Sequence, residues 1–343
     1  MKTLMKPGLS ALALASLLAL AACGGGGGGD GGSKQEPSTP PTTPTTPQDP
    51  ASVPPSTTAP PSSYPAGDQR LAALDAMNAV RLKMGVGALK QDEKLDTAAD
   101  NHLAYMKANS ATGHLEIAGN LGFTGANPYD QVVATGGSKS QWIGQEVSSG
   151  APDALSCVGG FMRSVYHLQG ISSNQETVGI SVRDNRCVIN FGVVTGAKGG
   201  GYGLAQWGGQ QMAASAMAYY PADSDRVFGT FFPGAESPNP APDLSSAGHP
   251  IMFRVPAPEA NDVLTVTSFT LIGPGGTSIP VRVLVPSKAK AGSVASAIED
   301  VNIYAGVAFM LPTQPLGAGT YTATFNGARN GVPVTKSWSF TAF

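Results

Sequence analysis

The chain has 343 residues, 41% hydrophobic and only 13% charged, with a formal net charge of −2. That length is enough for more than one buried core. With 21 basic residues against 23 acidic ones and no basic stripe, nucleic acid is excluded as the expected partner.

Lys2 and Lys6 precede an almost unbroken apolar stretch, Leu9 to Ala22. It is too short to span a bilayer, which takes roughly 20 residues, and residues 1–22 are expected to be a signal peptide. Leu20-Ala21-Ala22-Cys23 resembles the lipobox of bacterial lipoproteins. The resemblance implies cleavage before Cys23, a thioether-linked diacylglycerol on its sulfur, and a further acyl chain such as palmitate on the new N-terminus. Two or more chains anchor stably where one is marginal. The alternative is an ordinary cleaved signal with an incidental cysteine. Losing Lys2 and Lys6 and no acid moves the charge from −2 to −4, so membrane contact would come from lipid. The expected address is the bacterial cell envelope, facing periplasm or exterior. Gly24 after the cysteine, with no Asp there, favours an outer membrane where there are two.

Residues 23–66 read as a disordered Gly/Pro/Thr-rich tether, too poor in apolar surface to offset its ordering entropy. A folded domain is expected over 67–196. Leu71, Leu74, Met77, Val80 and Met84 recur at helical spacing after Asp68 and stop at Gly85. A second helix is expected from Asp92 to about Ala108. Asn127-Pro128 opens a short third helix to about Thr135. Asp153 caps a fourth that carries Phe161 and Val165 and ends at His167. Two strands follow, Thr177 to Arg183 and Cys187 to Val194, joined at Asp184-Asn185. Helices followed by an antiparallel pair predict an α+β layered domain.

Residues 197–211 read as a linker. Over 212–343, strands are expected at Tyr219 to Phe232, Ile251 to Val255, Val263 to Ile272, Val281 to Val285, Val301 to Leu311, Thr320 to Phe325 and Val334 to Phe343. Ser293 to Glu299 reads as a helical turn. Such spacing predicts an all-β sandwich, weakly resembling immunoglobulin-like modules through Trp338-Ser339-Phe340-Thr341. A spacer or stabilising partner is the expected role of this module.

With Cys23 taken by lipid, Cys157 and Cys187 remain. In an oxidising compartment they suggest one disulfide, worth roughly 3.5 kcal/mol on the chain-entropy model. The alternative is two buried thiols.

His114, Glu146 and His167 are the candidate site. Two imidazoles and a carboxylate can bind a divalent metal, share a proton or orient a polar ligand. His102 reads as packing, Glu176 as a surface residue, and His249 receives no role.

Asn78-Ala79-Val80-Arg81 with Gly85 and Ala88-Leu89 resembles the opening of the CAP superfamily, which joins cysteine-rich secretory proteins, antigen 5 and pathogenesis-related 1 proteins. Leu95, Ala98, Ala99, Met106 and His114 resemble its next helix and the histidine that closes it. Gly144-Gln145-Glu146-Val147 resembles its Gly-Glu-Asn element with one residue inserted or shifted. Phe161-x-x-Ser164-x-x-His167 resembles the bacterial Trp-x-x-Ser-x-x-His. Val178-Gly179-Ile180-Ser181-Val182 and Asn190-Phe191-Gly192 resemble its closing strands. The resemblance covers about residues 68–195. It implies an α-β-α sandwich with a cleft of two histidines and two acids: His114, His167 and Glu146. Ser164 stands where many eukaryotic members have the second acid.

His-Glu-x-x-His, Gly-x-Ser-x-Gly, P-loop and Cys-x-x-Cys signatures are absent. Ser164 and His167 share a helical face, so a Ser-His nucleophile is a geometric option, but nothing marks an oxyanion hole. Three functions follow. The first is a cleft that binds a small or lipidic ligand or a divalent cation such as zinc, with His114 and His167 as metal ligands. The second is a structural or adhesive surface lipoprotein. The third is an extracellular hydrolase with Glu146 as base. The resemblance carries no agreed reaction.

Overall fold

The computed structural model describes residues 51–343 apart from 198, 204 and 205. The signal peptide, Cys23 and the tether up to residue 50 lie outside the described residues.

Four of the expected helix starts are capped by the residues that signalled them. Asp68 accepts from Arg70 N–H ahead of α1 (Gln69–Met84), and Gly85 closes it in the left-handed region. Asp92 caps α2 (Glu93–Asn109), following the short strand β1 (Lys90–Gln91). Asn127 caps α3 (Pro128–Ala134) with proline in its first turn. Asp153 caps α4 (Ala154–Phe161).

Two local expectations are corrected. Trp142–Ser149 forms a strand, β2, that the sequence reading passed over. The fourth helix breaks after Phe161, and His167 lies in the first turn of a separate helix, α5 (Tyr166–Ile171). The break is stabilised from outside: Glu236 accepts from Val165, Tyr166 and His167 N–H, so these amides need no upstream helical carbonyl.

Strands β3 (Thr177–Arg183) and β4 (Arg186–Val193) form the expected hairpin. With β5 (Gly201–Tyr202) they complete a five-stranded sheet of order β1-β3-β4-β2-β5. Helices α2 and α3 cover one face, and α1, α4 and α5 the other, an α-β-α sandwich. Gly179 marks where α2 presses on the sheet: a Cβ there would sit 2.2 Å from Asp96 N. Cys157 and Cys187 are disulfide-bonded and tie α4 to β4.

The C-terminal module begins with β6 (Ala218–Tyr220), β7 (Arg226–Val227) and β8 (Thr230–Phe231), three short pieces where one long strand was expected. Next come β9 (Ala247–Gly248), β10 (Ile251–Arg254), β11 (Leu264–Ile272), β12 (Ser278–Ile279) and β13 (Val281–Val285). The helical turn is α6 (Ser287–Lys290), upstream of its expected place. Then follow β14 (Ile298–Glu299), β15 (Val307–Pro312), β16 (Gly319–Arg329) and β17 (Val332–Ala342). Two five-stranded sheets, β14-β13-β15-β10-β6 and β12-β11-β16-β17-β7, make the sandwich. Phe253, Phe269, Phe325 and Trp338 fill it, with the Phe253 and Phe325 rings stacked 3.9 Å apart.

The stretch expected as a linker is packed, and of the two roles expected for the C-terminal module, spacer or stabilising partner, the packing fits the second. The described residues fall within one compact unit. A single apolar cluster joins Met77, Phe161, Ile171 and Phe191 of the first module to Phe231, Met252, Leu284 and Phe309 of the second. Gln210, within the expected linker, is buried and donates to the carbonyls of Ala88 and Gln175.

The last part of the expected tether is also packed. Val53 pairs with Gln210, and Tyr64 is buried with its hydroxyl on Asp96. Asp96 is the anchor because it also accepts from Ile180 N–H and Gln91. Tyr64→Phe should cost about 1.5–3 kcal/mol of unfolding free energy, read from urea midpoints, as for one buried hydrogen bond to a charged acceptor. An unchanged midpoint would mean that this contact adds nothing. No helix among the described residues is long and apolar enough to cross a membrane.

Candidate functional site

A cleft of about 710 Å³ opens where the two modules meet. Its walls are the loop ending α2 (Thr112–His114), the end of β2, the α4–α5 corner with Phe161, Arg163, Ser164 and His167, and the 230–237 segment of the C-terminal module. His114, Ser164 and His167 therefore face one space.

The backbone before His114 is held from beneath. His102 is fully buried, with Nε2 donating to the Gly113 carbonyl at 2.9 Å and Nδ1 2.9 Å from Glu116. Glu116 also accepts from Thr124 and Gly125 N–H and so closes the loop that follows. His102 is packing, as expected.

His114 Nδ1 lies 3.1 Å from Gln145 Oε1. A chain of amides fixes the sense of this bond. Gln145 Nε2 donates to Gln131 Oε1 and Asn190 Oδ1, whose own amide nitrogens donate to the carbonyls of His114 and Leu95. Gln145 thus turns an acceptor to the ring, His114 carries its proton on Nδ1, and Nε2 is left with a lone pair. Burial lowers the His114 pKa, opposed by the Gln145 hydrogen bond and assisted by nearby His167, so the ring is neutral at pH 7.

His167 stacks on Phe161, ring centroids 4.7 Å apart. Its Nδ1 lies 2.9 Å from Ser164 Oγ and 3.0 Å from Glu236 Oε1. The Ser164 hydroxyl is already donated to the Phe161 carbonyl, so Oγ meets the ring as an acceptor. A serine hydroxyl engaged in this way is a poor nucleophile, and Ser164 braces the ring instead. Neither Nε2 has a hydrogen-bond partner among the described residues.

Glu146 does not line the cleft. Side chains alternate along a strand, so Gln145 takes the His114 side of β2 and Glu146 the opposite one. Glu146 is 2% exposed, and neither carboxyl oxygen has a hydrogen-bond partner. Desolvation pushes its pKa well above the ordinary value, with the charge of Glu236 adding to the rise. The carboxylate placed beside a cleft histidine is Glu236, which the sequence reading missed, as it missed Gln145. Alternation along a recognised β2 would have signalled Gln145. Nothing in the sequence marks Glu236.

Glu176 accepts from Val194 and Thr195 N–H and stays away from the cleft. His249 is buried in the C-terminal module, with Nδ1 on the Phe228 carbonyl, and burial drives its pKa to about 3.

Among the described residues, no group of three or more His, Cys, Asp or Glu side chains is arranged to hold a metal. Two imidazoles are half of a tetrahedral zinc set. That is too few for a closed structural site.

A three-layer α-β-α domain with one histidine from the loop after its second helix and another from its last helix, both lining one cleft, defines a recognisable fold class. Residues 74–195 match the model of the cysteine-rich secretory protein family, CAP, and this segment of the chain is a CAP domain. Among solved structures, the chain is similar to an extracellular protein containing an SCP domain from Bacillus anthracis. The two are 20% identical over 35% of this chain and 39% of that one, with a TM-score of 0.32. The chain thus spans well under half of that protein. An outer surface protein from Borrelia burgdorferi is 16% identical over 38% of this chain and 95% of its own, TM-score 0.32. CopC from Methylosinus trichosporium is 12% identical over 36% and 87%, TM-score 0.22. No curated protein matches the sequence significantly.

Proposed function

We propose that this is an extracytoplasmic, lipid-anchored binding protein whose CAP cleft captures a small ligand or an exchangeable divalent cation at the Nε2 atoms of His114 and His167. The observation that carries the proposal is the matched state of the two rings: each has Nδ1 occupied by the protein and Nε2 bare, the arrangement of imidazoles used as acceptors or ligands. The remaining walls suit a ligand with an apolar body and an anionic group. Phe161, Phe231 and Phe232 supply the apolar surface. Arg163 sits over the Phe228 ring and spends only its Nε, on the Gly159 carbonyl. The disulfide supports an oxidising compartment, and the Cys23 lipobox supports the anchor. The hydrolase reading draws less support, because Glu146 is not among the residues that line the cleft.

Zinc is a direct probe of the paired imidazoles. The melting midpoint of the wild-type protein should rise with zinc, by the equivalent of about 2.7 kcal/mol at a hundredfold excess over Kd. His114→Ala/His167→Ala should lose that rise. Equal zinc responses in the two proteins would remove the cleft as a cation site and leave the surface-architecture role in its place.

A further inference from the structure

The helix that carries His167 is held at both ends by the C-terminal module. At its N-terminus, Glu236 accepts from Val165 N–H at 2.8 Å, Tyr166 N–H at 2.7 Å and His167 N–H at 3.1 Å, besides facing His167 Nδ1. Along its length, Tyr166 donates to Asp300, and Gln169 donates to the Asn302 carbonyl while accepting from Tyr304 N–H. At its C-terminus, Arg254 donates to the Ser172 carbonyl. The Glu236 side chain is 1% exposed, and the segment carrying it is part of the cleft wall.

From this geometry we infer that Glu236 is the positioning residue of the CAP cleft, so that the ligand site is completed by the second module. The inference rests on the proposal that His167 Nε2 receives the ligand. Oε1 already accepts two backbone N–H groups, which commits it as an acceptor toward the ring. The other neighbour of Nδ1, Ser164 Oγ, has given its proton to the Phe161 carbonyl. Two acceptors on one ring nitrogen place the proton there and leave Nε2 bare. A carboxylate behind a ligating imidazole also fixes its orientation and raises its basicity as a ligand. Without Glu236, the Ser164 hydroxyl is the remaining partner of Nδ1. It can rotate to donate, which would move the ring proton to Nε2 and block the cleft-facing lone pair. The two modules share one apolar cluster, so the carboxylate is delivered on a fixed body.

The test uses the full chain, whose four histidines give a sparse ¹⁵N imidazole spectrum. In the wild type, long-range ¹H–¹⁵N correlations should show His167 protonated on Nδ1. In Glu236→Ala the ring should shift toward the Nε2-protonated form, and zinc affinity should fall 10–100-fold, the usual loss for such a partner. Glu236→Gln keeps the shape and one acceptor oxygen and serves if the alanine variant does not fold; it should lose about tenfold in zinc affinity for want of the charge. A wild-type His167 protonated on Nε2 would overturn the inference. So would a tautomer and a zinc affinity that both stay unchanged in a folded variant. Failure of cation capture itself looks different: no zinc response in the wild type, with the tautomer still shifting in Glu236→Ala, leaves Glu236 as the positioning residue.

Discussion

Arg81→Leu is expected to lower the unfolding free energy by about 4 kcal/mol or more. Arg81 is fully buried, and among the described residues it makes no salt bridge. Its guanidinium donates to the carbonyls of Val86, Gly87, Ile171, Ser173 and Gln175. Burial, with Arg254 nearby, lowers its pKa to about 9, which leaves it charged at neutral pH. Two of its acceptors lie at the C-terminal end of α5, where a cation also opposes the negative end of the helix dipole. Leucine would bury these carbonyls without donors. Arg81→Lys should recover only part of the loss, because an ammonium has three donors and no planar fork. Urea unfolding at pH 7 is the check. A midpoint within 0.5 kcal/mol of wild type would mean that other donors or water satisfy the carbonyls, and that Arg81 does not organise this corner.

Glu146→Met should act in the opposite direction and stabilise the protein, by about 1–3 kcal/mol at pH 8. The carboxyl is buried with both oxygens unpaired, and methionine fills a similar volume without a polar group. Its folded pKa is raised well above the ordinary value near 4.5. Above pH 4.5 the unfolded chain releases this proton while the folded protein keeps it. The unfolded state then binds fewer protons, and stability falls as pH rises toward the folded pKa. The stabilisation by methionine should accordingly be smallest at pH 4 and grow toward pH 8. Thermal midpoints across that range read the trend directly, at roughly 2–4 °C per kcal/mol for a chain of this size class. Zinc binding should be unaffected, since Glu146 is outside the cleft. A destabilised variant with abolished zinc binding would restore Glu146 to the site.

These two residues mark where the sequence was legible and where it was not. The resemblance at Asn78-x-x-Arg81 pointed to a conjunction the structure explains. Asn78 pairs reciprocally with Leu89 across the turn out of α1, and Arg81 gathers carbonyls from two segments, that turn and the stretch between α5 and β3. The Gly144-Gln145-Glu146 element was legible as a motif but not in register. The acid drew attention, yet strand alternation gives the histidine to Gln145. A shift of one residue changes the face a side chain occupies, and motif spacing alone does not fix that shift when the strand itself goes unrecognised.

Short-range physics wrote the rest plainly into the chain. Capping by Asn127 and Asp153, helical and alternating apolar periods, and the Cys157–Cys187 pair left over for a disulfide marked most of the helices, the β3–β4 hairpin and the disulfide, while the layer order and the CAP class came from the motif resemblance. Each depends on neighbours within a few residues or on a choice among few partners. Tertiary structure alone decided that the β-sandwich shares an apolar cluster with the CAP domain, that Tyr64 belongs to the folded body, and that the carboxylate behind His167 arrives from position 236. Glu236 is 69 residues away along the chain, and no local pattern encodes the packing of one module's loop against another module's helix. That contact exists because Phe231, Met252 and Phe309 bury their apolar surface against α1, α4 and α5. A non-directional driving force brings the modules together, and only the resulting shape determines which polar groups then meet.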